Sequence, residues 1–413
     1  MKKEISRRQF LKWTGLMTFV GSTTTVGSSS PAGEPVGVAF IGTGEWGRTL
    51  LGYLIKVPGF EVIALCDVYE PHLKKALEIV GKPVAAHSDY RKVLEDGKVK
   101  AVIIATPPHT HREIVSAALQ AGKHIWCEVP LAHNEEETRG LAREVVEAKT
   151  VFQCGLQRRY NPTIIQAYKF HRAGTLGRLV LWSGRWHRKD SWRRIGRDPE
   201  SEKALNWRLD PELSGGLITE VLLHHFDLAG HFIGSPPQQV HCQKSLVLWE
   251  DGREMPDTVT CLLTYPDQVQ ADFQATLANS FQGVWDIVAG EFGAFFFQGF
   301  KGLLFREADA RPLGWEVYAK RERLAREEGY LIVADATKLL EQGKMPGELG
   351  VTETLENHEI YQALKGFQES VRSGTRPKAD IIKGLEATIV ALKAAQAARS
   401  QTPVTIKATD FQI

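Results

Sequence analysis

A glycine-rich turn near the start of the chain constrains the fold more than any other stretch. The segment Gly42-Thr43-Gly44-Glu45-Trp46-Gly47 follows an apolar run, residues 36–41, and precedes a helical pattern. In such a turn the first glycine permits a tight strand-to-helix bend, the second lets the backbone approach a pyrophosphate, and the third lets the helix pack on the strand. The free N–H groups at the start of the helix favour a phosphate there. The turn therefore predicts a dinucleotide site formed by Gly42, Thr43, Gly44, Glu45 and Trp46.

An acidic residue at the end of the next apolar run points to the kind of dinucleotide. Residues 61–66 are apolar apart from the first, and Asp67 follows them, about twenty-five residues after the first glycine. A carboxylate at this place meets the ribose hydroxyls of the adenosine and repels a 2′-phosphate. We therefore expect NAD as the cofactor, and NADP is less favoured.

The first half of the chain alternates between apolar strands and amphipathic helices over residues 36–157. Near-continuous apolar strands separated by helices are typical of a doubly wound parallel sheet of the Rossmann type. Ligands of such sheets bind beyond the carboxyl ends of the strands. Thr106, Pro107, His111 and Glu128 follow two of these strands, so we expect them to border the nicotinamide end of the cofactor.

The second half has a different pattern, with short alternating strands that include residues 180–187, 239–249, 257–265 and 269–277. This pattern predicts an α+β domain built on a large, open, mostly antiparallel sheet. One face of an open sheet needs a cover, and a second copy of the chain is a plausible one, so we expect a homo-oligomer. The predicted divisions are a signal and linker, a nucleotide-binding domain, an open-sheet domain and C-terminal helices, at residues 1–33, 34–157, 158–356 and 357–413.

The N-terminal segment differs in kind from the rest. Ser6-Arg7-Arg8-Gln9-Phe10-Leu11-Lys12 is typical of a twin-arginine export signal. The mildly apolar stretch that follows, residues 13–26, is too short and polar to span a bilayer stably. We expect a periplasmic or otherwise exported protein with no stable membrane span beyond the signal; the alternative is a basic tail on a cytoplasmic protein.

Charge and cysteine content narrow the possible partners. The formal net charge is +2, without a long block of like charge, which gives no support to a nucleic-acid partner. The five cysteines show no paired short spacing. They are expected to be small core residues rather than metal ligands or a disulfide framework, and no metal site is predicted.

A cluster of polar residues in the second half is the strongest candidate for catalysis. Glu220, His224 and Asp227 are spaced by four and three residues, which places them on one face of the helix predicted for residues 216–233. An imidazole with an ordinary pKa near ~6.5 is suited to accept a hydroxyl proton as a hydride leaves carbon. Nearby, Trp186 and Trp192 either stack on a sugar ring or pack within the sheet.

Together these segments resemble the Gfo/Idh/MocA family, which includes glucose–fructose oxidoreductase and inositol 2-dehydrogenase. The matching segments are residues 41–47, 105–111, 121–132, 157–162 and 215–227. The resemblance implies a nucleotide-binding domain followed by an open-sheet domain, and redox chemistry on the hydroxyls of sugars and cyclitols. It implies that His224 and Glu220 are catalytic. It also implies substrate contacts from Arg159, Tyr160, His187 and Asp227, although Asp227 could instead orient the helix.

The chain departs from the family at Val129, where most members have the lysine of a Glu-Lys-Pro segment. Valine can neither donate a hydrogen bond nor stabilise a developing alkoxide. A different cation could replace the lysine, and the candidates are Arg159, Arg185, His187, Arg188 and Lys189.

Three functions follow from this departure. The leading hypothesis is an exported NAD(P)-dependent oxidoreductase that acts on a CH–OH group of a sugar or cyclitol and holds NAD(H) tightly. The second is a redox-neutral glycoside hydrolase that uses bound NAD for transient oxidation. The third is a non-catalytic nucleotide-binding protein.

Overall fold

The fold is built on two sheets, and we describe it from a computed structural model. The structure describes residues 34–316, 319–334 and 354–413. The predicted export signal and linker, residues 1–33, lie outside the described residues. The chain separates into two units, Met1–Pro35 and Val36–Ile413, and all that follows concerns the second.

The first sheet has six parallel strands in the order β3-β2-β1-β4-β5-β6. The strands are β1 (Val36–Ile41), β2 (Phe60–Cys66), β3 (Ala85–His87), β4 (Ala101–Ile104), β5 (His124–Cys127) and β6 (Phe152–Cys154). The helices between them are α1 (Glu45–Leu54), α2 (Glu70–Val80), α3 (Tyr90–Glu95), α4 (His111–Gln120) and α5 (Glu135–Glu147). The predicted doubly wound parallel sheet is confirmed. The strand order reverses between β1 and β4, which is where such sheets bind ligands.

The second sheet has ten strands among the described residues, in the order β14-β15-β13-β12-β11-β7-β10-β9-β8-β16. The strands are β7 (Leu179–His187), β8 (Gln239–Ser245), β9 (Thr258–Thr264), β10 (Gln270–Thr276), β11 (Val284–Gly290), β12 (Gly293–Gln298), β13 (Lys301–Arg306), β14 (Arg321–Leu324), β15 (Glu327–Leu331) and β16 (Val404–Thr405). Neighbours are antiparallel except β7 and β10, which are parallel. The predicted large, mostly antiparallel sheet is confirmed.

The remaining helices connect the two sheets. They are α6 (Pro162–Arg172), α7 (Pro199–Leu205), α8 (Leu223–Ile233), α9 (Glu359–Ser373) and α10 (Ile381–Ser400). Helix α10 is apolar on nearly all sides, as expected for a buried helix. Its Thr388 Oγ1 accepts a hydrogen bond from the backbone N–H of Leu131, at 3.0 Å, in the loop after β5. This helix therefore joins the nucleotide-binding sheet to the rest of the unit.

The two faces of the large sheet have different surroundings. Along β7, Trp182 is buried and packs on Phe232 of α8, with ring centroids 5.5 Å apart. The alternate residues Leu181, Ser183 and Arg185 lie on the opposite face, where Leu181 is 40% exposed. Helix α8 therefore covers one face, and the other face is open to solvent in the single chain.

Strand β8 ends earlier than predicted. The apolar pattern indicated a strand over residues 239–249, but the strand ends at Ser245. The buried carboxylate of Asp257 accepts hydrogen bonds from the backbone N–H groups of residues 247–249, at 2.7 to 3.1 Å. Because the carboxylate takes these donors, they are not available to a neighbouring strand. The apolar side chains alone could not show this.

The prediction that the cysteines are core residues without a disulfide is wrong for one pair. Cys242 and Cys261 are directly opposite each other on β8 and β9 and form a disulfide. Strand pairing brings them together, which sequence spacing could not reveal. Cys66, Cys127 and Cys154 are free and buried. Within the described ranges, no group of His, Cys, Asp or Glu is arranged to hold a metal ion, and no helix there is long and apolar enough to cross a membrane.

Two glycines of α1 test the packing around the turn. A Cβ at Gly47 would lie 2.2 Å from the Gly42 carbonyl oxygen, whereas a Cβ at Gly52 would meet nothing within 4 Å. We expect Gly47→Ala to lower the free energy of unfolding by about 1–3 kcal/mol through overpacking. Gly52→Ala should raise it by about 0.5–1 kcal/mol, since alanine favours the helix. Urea denaturation measures both, and equal effects would contradict the close packing of Gly47.

Candidate active site

The glycine turn has the geometry that a dinucleotide requires. Gly42 has φ +90°, and a Cβ there would lie 2.7 Å from the Ala105 carbonyl carbon, so a side chain is excluded. A side chain at Gly47 is excluded as well, because it would clash with the carbonyl oxygen of Gly42. The space around Gly44 is open to 4 Å, so a phosphate can approach its backbone. Gly42, Gly44 and Gly47 therefore fit the roles predicted for the first, second and third glycines of the turn. A turn of this shape can accept a pyrophosphate.

Asp67 lies beside this turn and supports it. Its Oδ2 accepts hydrogen bonds from the N–H and the Oγ1 of Thr43, at 2.7 and 3.0 Å, and its Oδ1 accepts one from the Tyr69 N–H at 2.8 Å. Burial acts to raise the pKa of Asp67, but hydrogen bonds from His72, Tyr69 and Thr43 outweigh it and hold the pKa below its ordinary value. The carboxylate is therefore charged, which disfavours a 2′-phosphate, and it also fixes the turn, a role that the sequence did not predict.

The loop after β4 packs against the glycine turn. A Cβ added at Gly42 would lie only 2.7 Å from the backbone nitrogen of Thr106 in this loop. Pro107 precedes the short 3₁₀ turn Pro108–Thr110. The His111 ring is 1% exposed, with Nε2 2.8 Å from the Thr106 carbonyl and Nδ1 3.0 Å from the Pro130 carbonyl. Burial lowers its pKa to about 4, so the ring is neutral and donates to one of the two carbonyls. The expected direct cofactor contact by His111 is therefore corrected: His111 joins two loops that border the groove.

Glu128, the residue after β5, has a carboxyl group whose pKa is strongly perturbed. It accepts hydrogen bonds from Trp126 Nε1 at 2.7 Å, from Gln157 Nε2 at 3.2 Å, and from the Trp46 side chain. Burial raises its pKa to about 7. Trp46 belongs to the glycine turn, so this network connects the turn to the end of β5. Glu128 and Trp46 are thus brought together, although they are far apart in the sequence.

Glu220 lies in a π-helical turn, Ile218–Leu222, that leads into α8. The predicted helix over residues 216–233 is therefore not uniform, and such π turns are frequent at functional sites. Arg208 Nε donates to Glu220 Oε2 at 3.3 Å, and Ser214 Oγ lies 3.5 Å from Oε1. Burial raises the pKa of Glu220 to about 6. That Glu220 and His224, four residues later, lie on the same side stays a prediction from their spacing.

His224 has the properties of a proton acceptor. Burial lowers the pKa of its ring to about 4, so the imidazole is neutral at pH 7 and has a free lone pair. No hydrogen bond or ion pair joins the ring to another residue in the part of the chain that the structure describes. A neutral imidazole with an uncommitted nitrogen can take a proton from a substrate hydroxyl.

Two of the predicted substrate contacts bind each other instead. Arg159 Nε lies 3.0 and 2.9 Å from the two carboxylate oxygens of Asp227, and its Nη2 lies 2.7 Å from Oδ1. Both side chains are buried, at 8% and 4% exposure. A bidentate pair of this kind uses most of the donors that a substrate would need. Arg159 and Asp227 therefore position α8, which corrects their assignment as substrate contacts.

Tyr160 and His187 are also engaged away from the expected substrate. The Tyr160 ring is 5% exposed, and its hydroxyl donates to Gln153 Oε1 at 2.9 Å. His187 Nε2 is 3.3 Å from Gln274 Oε1, and strand alternation puts both on the face opposite α8. Both substrate predictions are therefore corrected by the structure.

A buried network next to His224 holds α8 on the sheet. Asp286 Oδ1 lies 2.8 Å from His225 Nδ1 and accepts a hydrogen bond from Trp182 Nε1 at 2.9 Å. Arg158 Nη2 donates to Asp286 Oδ2 at 2.6 Å. Burial acts to raise the pKa of Asp286, but Arg158 and His225 hold it far below its ordinary value. The charged Asp286 therefore fixes the helix that carries His224.

Arg208 is a candidate site residue that the sequence did not reveal. Its guanidinium lies 4.3 Å from the Trp207 ring centroid and 5.8 Å from that of Trp192, and it contacts Glu220. It was not among the cations proposed to replace the lysine missing at Val129. Its only signal in the sequence was the adjacent tryptophan, which is weak.

The other proposed cations have different positions. Arg185 pairs with Asp272 on the open face of the sheet, and Arg188 and Lys189 are exposed. Arg159 is held by Asp227 and His187 lies on the open face, as described above. Arg208 is therefore the cation that this site places beside a candidate catalytic residue.

Two features define the protein class. One is a parallel sheet with a dinucleotide-type glycine turn, and the other is an open antiparallel sheet covered by a helical segment that carries a carboxyl group and a histidine. A family model described as "Oxidoreductase family, NAD-binding Rossmann fold" matches residues 36–156, and one described as "GFO/IDH/MocA C-terminal domain" matches residues 164–296. Together they match more than half of the chain. The chain belongs to the Gfo/Idh/MocA family of oxidoreductases, and its first sheet is an NAD-binding Rossmann domain.

Named relatives match parts of the chain. Levoglucosan dehydrogenase of Pseudarthrobacter phenanthrenivorans is 34% identical over 148 residues, 36% of each chain. Inositol 2-dehydrogenase 1 of Saccharopolyspora erythraea is 34% identical over 151 residues, 35% of this chain and 44% of the relative. The chain thus matches less than half the length of these two curated relatives.

Solved structures match over a longer span. A levoglucosan dehydrogenase in complex with NADH and levoglucosan superposes with a TM-score of 0.72 at 19% identity, covering 90% of this chain and all of the other. At this identity the likeness establishes the fold.

The buried Glu128 predicts a pH dependence of stability. Its pKa is about 7 in the folded protein against 4.5 ordinarily, so between these values the folded state keeps a proton that the unfolded state has released. Stability should therefore fall as pH rises through this window, by about 3 kcal/mol. Glu128→Gln should remove that loss, which urea unfolding between about pH 4 and about pH 8 measures. Glu147→Gln, at an exposed position, is the control and should show the same pH dependence of stability as the wild type. If the stability of the wild type and of Glu128→Gln changed with pH in parallel, the prediction would be wrong.

Proposed function

We propose that this protein is an NAD(H)-dependent oxidoreductase that acts on a CH–OH group of a sugar or cyclitol and holds its cofactor tightly. The observation that carries the proposal is the neutral ring of His224, uncommitted among the described residues and four residues after Glu220. Relatives named as levoglucosan and inositol dehydrogenases support a sugar or cyclitol as the substrate.

The reaction divides between cofactor and protein. When bound, NAD supplies the acceptor for the hydride that leaves the substrate carbon. The glycine turn and Asp67 would hold its pyrophosphate and adenosine, and Thr106, Pro107 and Glu128 would border its nicotinamide. A ring nitrogen of His224 takes the proton of the substrate hydroxyl, which becomes the carbonyl oxygen of the product. Glu220 and Arg208 would orient the neighbouring hydroxyls, since a carboxylate accepts hydrogen bonds and a guanidinium donates them.

The charges around the site favour a neutral substrate. Arg159 faces Asp227, Arg158 faces Asp286, and Arg208 faces Glu220. An anionic sugar would have to break a buried pair to reach Arg158 or Arg159, and removing one partner of a buried pair is costly. At Arg208 it would meet the carboxyl group of Glu220. We therefore propose an uncharged sugar or cyclitol.

The two alternatives are not favoured. The glycosidase hypothesis rested on the missing lysine at Val129, and the third hypothesis rested on lost catalysis. The relatives with named activities are dehydrogenases, and Arg208 provides a cation beside Glu220.

The test is a single-turnover experiment on the purified protein. The nucleotide released on denaturation should be NAD or NADH, and adding a neutral substrate from a panel of sugars and cyclitols should reduce the bound NAD. His224→Asn should retain the nucleotide and slow this reduction by about a hundredfold or more, because it loses the proton acceptor. The control is His241→Asn, on the uncovered face at β8. An unchanged rate in His224→Asn, or glycoside cleavage without net reduction, would reject the proposal.

Export is a further part of the proposal. The arginine pair at residues 7 and 8 supports the twin-arginine route and a periplasmic or otherwise exported location. The Cys242–Cys261 disulfide is of the kind that persists in oxidising compartments. Replacing both arginines by lysine should leave the protein in the cytoplasmic fraction.

We also propose a homo-oligomer that forms through the open face of the large sheet. On this face Leu181 and Leu262 are 40% and 52% exposed, and they belong to strands near the middle of the sheet. A second copy would remove this apolar surface from water. The mass in solution, measured by light scattering, should be a multiple of the chain mass of 46.0 kDa.

A further inference from the structure

A segment of the open-sheet domain reaches the nucleotide-binding domain. We call residues 190–206 the strap. Arg194 Nη2 lies 3.2 Å from Glu45 Oε2, and Arg197 Nη1 lies 3.3 Å from Glu70 Oε2. Glu45 is the first residue of α1, within the glycine turn, and Glu70 is the first residue of α2, three residues after Asp67. The strap therefore touches the Rossmann domain beside the expected pyrophosphate and beside the expected adenosine.

The strap is braced internally and is tied to its own domain near its start. Within the strap, the Arg194 backbone N–H donates to Asn206 Oδ1 at 2.7 Å, and Asn206 Nδ2 donates to the Arg194 carbonyl at 2.8 Å. Arg193 Nε donates to Asp251 Oδ2 at 2.8 Å, and the buried Arg253 donates to the other oxygen of the same carboxylate. Several bonds in fixed geometry thus brace the two ends of the strap.

Its attachment to the Rossmann domain is much weaker. The side chains of the Arg194–Glu45 pair are 41% and 66% exposed, and those of the Arg197–Glu70 pair are 57% and 61% exposed. An exposed ion pair changes an equilibrium by only about 1.4- to 5-fold. One side is therefore fixed and the other opens easily.

We propose that the strap is a gate for the cofactor. In the closed state the strap is held by the Arg194–Glu45 and Arg197–Glu70 pairs. It then covers the edge of the groove that takes the pyrophosphate and adenosine of a dinucleotide. The dinucleotide therefore leaves only after both pairs open. The inference rests on the proposed binding of NAD(H). The gate slows release of the dinucleotide by a modest factor, and because the ion pairs are exposed it makes release sensitive to salt.

The experiment measures the rate at which NADH leaves the full-length protein, by stopped-flow fluorescence with excess NAD as the trap. Arg194→Gln and Arg197→Gln should each raise this rate about 1.4- to 5-fold, and the double variant should raise it further. Salt between about 0.05 M and about 1 M should accelerate release from the wild type and have little effect on the double variant. Arg321→Gln, a 53% exposed arginine paired with Glu328 on the β14–β15 hairpin, is the matched control and should release NADH at the wild-type rate.

A double-mutant cycle separates the gate from a general charge effect. Glu70→Gln should raise the rate by about the same factor as Arg197→Gln, and combining them should add nothing, since both remove the Arg197–Glu70 pair. Glu70→Gln also removes the exposed Lys74–Glu70 pair within α2, and Lys74→Gln is the control for that loss. A wild-type rate in the Arg194→Gln, Arg197→Gln double variant, or an equal rise in Arg321→Gln, would overturn the gate. So would a Glu70→Gln variant that releases NADH at the wild-type rate.

Calorimetric titration distinguishes failure of the gate from failure of the proposed function. One NADH per chain with unaltered release in the variants rejects the gate alone. A wild-type protein that releases no nucleotide on denaturation and also binds neither NADH nor NAD rejects the proposed function together with the gate. Thermal unfolding of each variant without nucleotide should match the wild type, which shows that the substitutions leave the fold intact.

Discussion

The position of His224 depends on two buried carboxylates that hold α8 in place. Asp227 pairs with Arg159, and Asp286 pairs with Arg158 and His225. Arg158 and Arg159 are consecutive residues that follow the last strand of the Rossmann sheet, so one short segment fixes the helix relative to the nucleotide-binding domain. Removing one partner of a buried pair leaves an uncompensated charge and typically costs about 3–5 kcal/mol. The position of His224 relative to the Rossmann sheet is therefore set by ion pairs in which His224 itself takes no part.

Burial sets the protonation states around the groove in a way that suits proton transfer. It raises the pKa of Glu128 to about 7 and of Glu220 to about 6, and it lowers the pKa of His224 to about 4. Burial thus raises the pKa of both carboxyl groups and lowers the pKa of the imidazole, because a low dielectric disfavours every charged form. The result is a neutral base and carboxyl groups that titrate close to neutral pH.

Much of the fold could be predicted, and less of the site. The glycine turn and the strand periodicities predicted both sheets, and the placement of Glu220 and His224 on one side of the helix stays a prediction from their spacing. Tyr160, His187 and Arg159 were expected at the substrate, but the structure buries the first, places the second on the opposite face and pairs the third with Asp227. A family motif indicates that a residue matters, and it does not show whether the side chain meets a ligand or another side chain.

The sequence by itself determined the local features: the backbone freedom of the turn, the alternation of strands and helices, the acid after the second strand, and the i, i+4 spacing of Glu220 and His224. These depend on residues close together in the chain. Only the tertiary structure decided the partner of Glu220, which is Arg208, the pairing of Cys242 with Cys261, and the contacts of the strap with α1 and α2. Each of these joins residues from different elements, and the folded arrangement of those elements, rather than any local pattern, brings the side chains within reach.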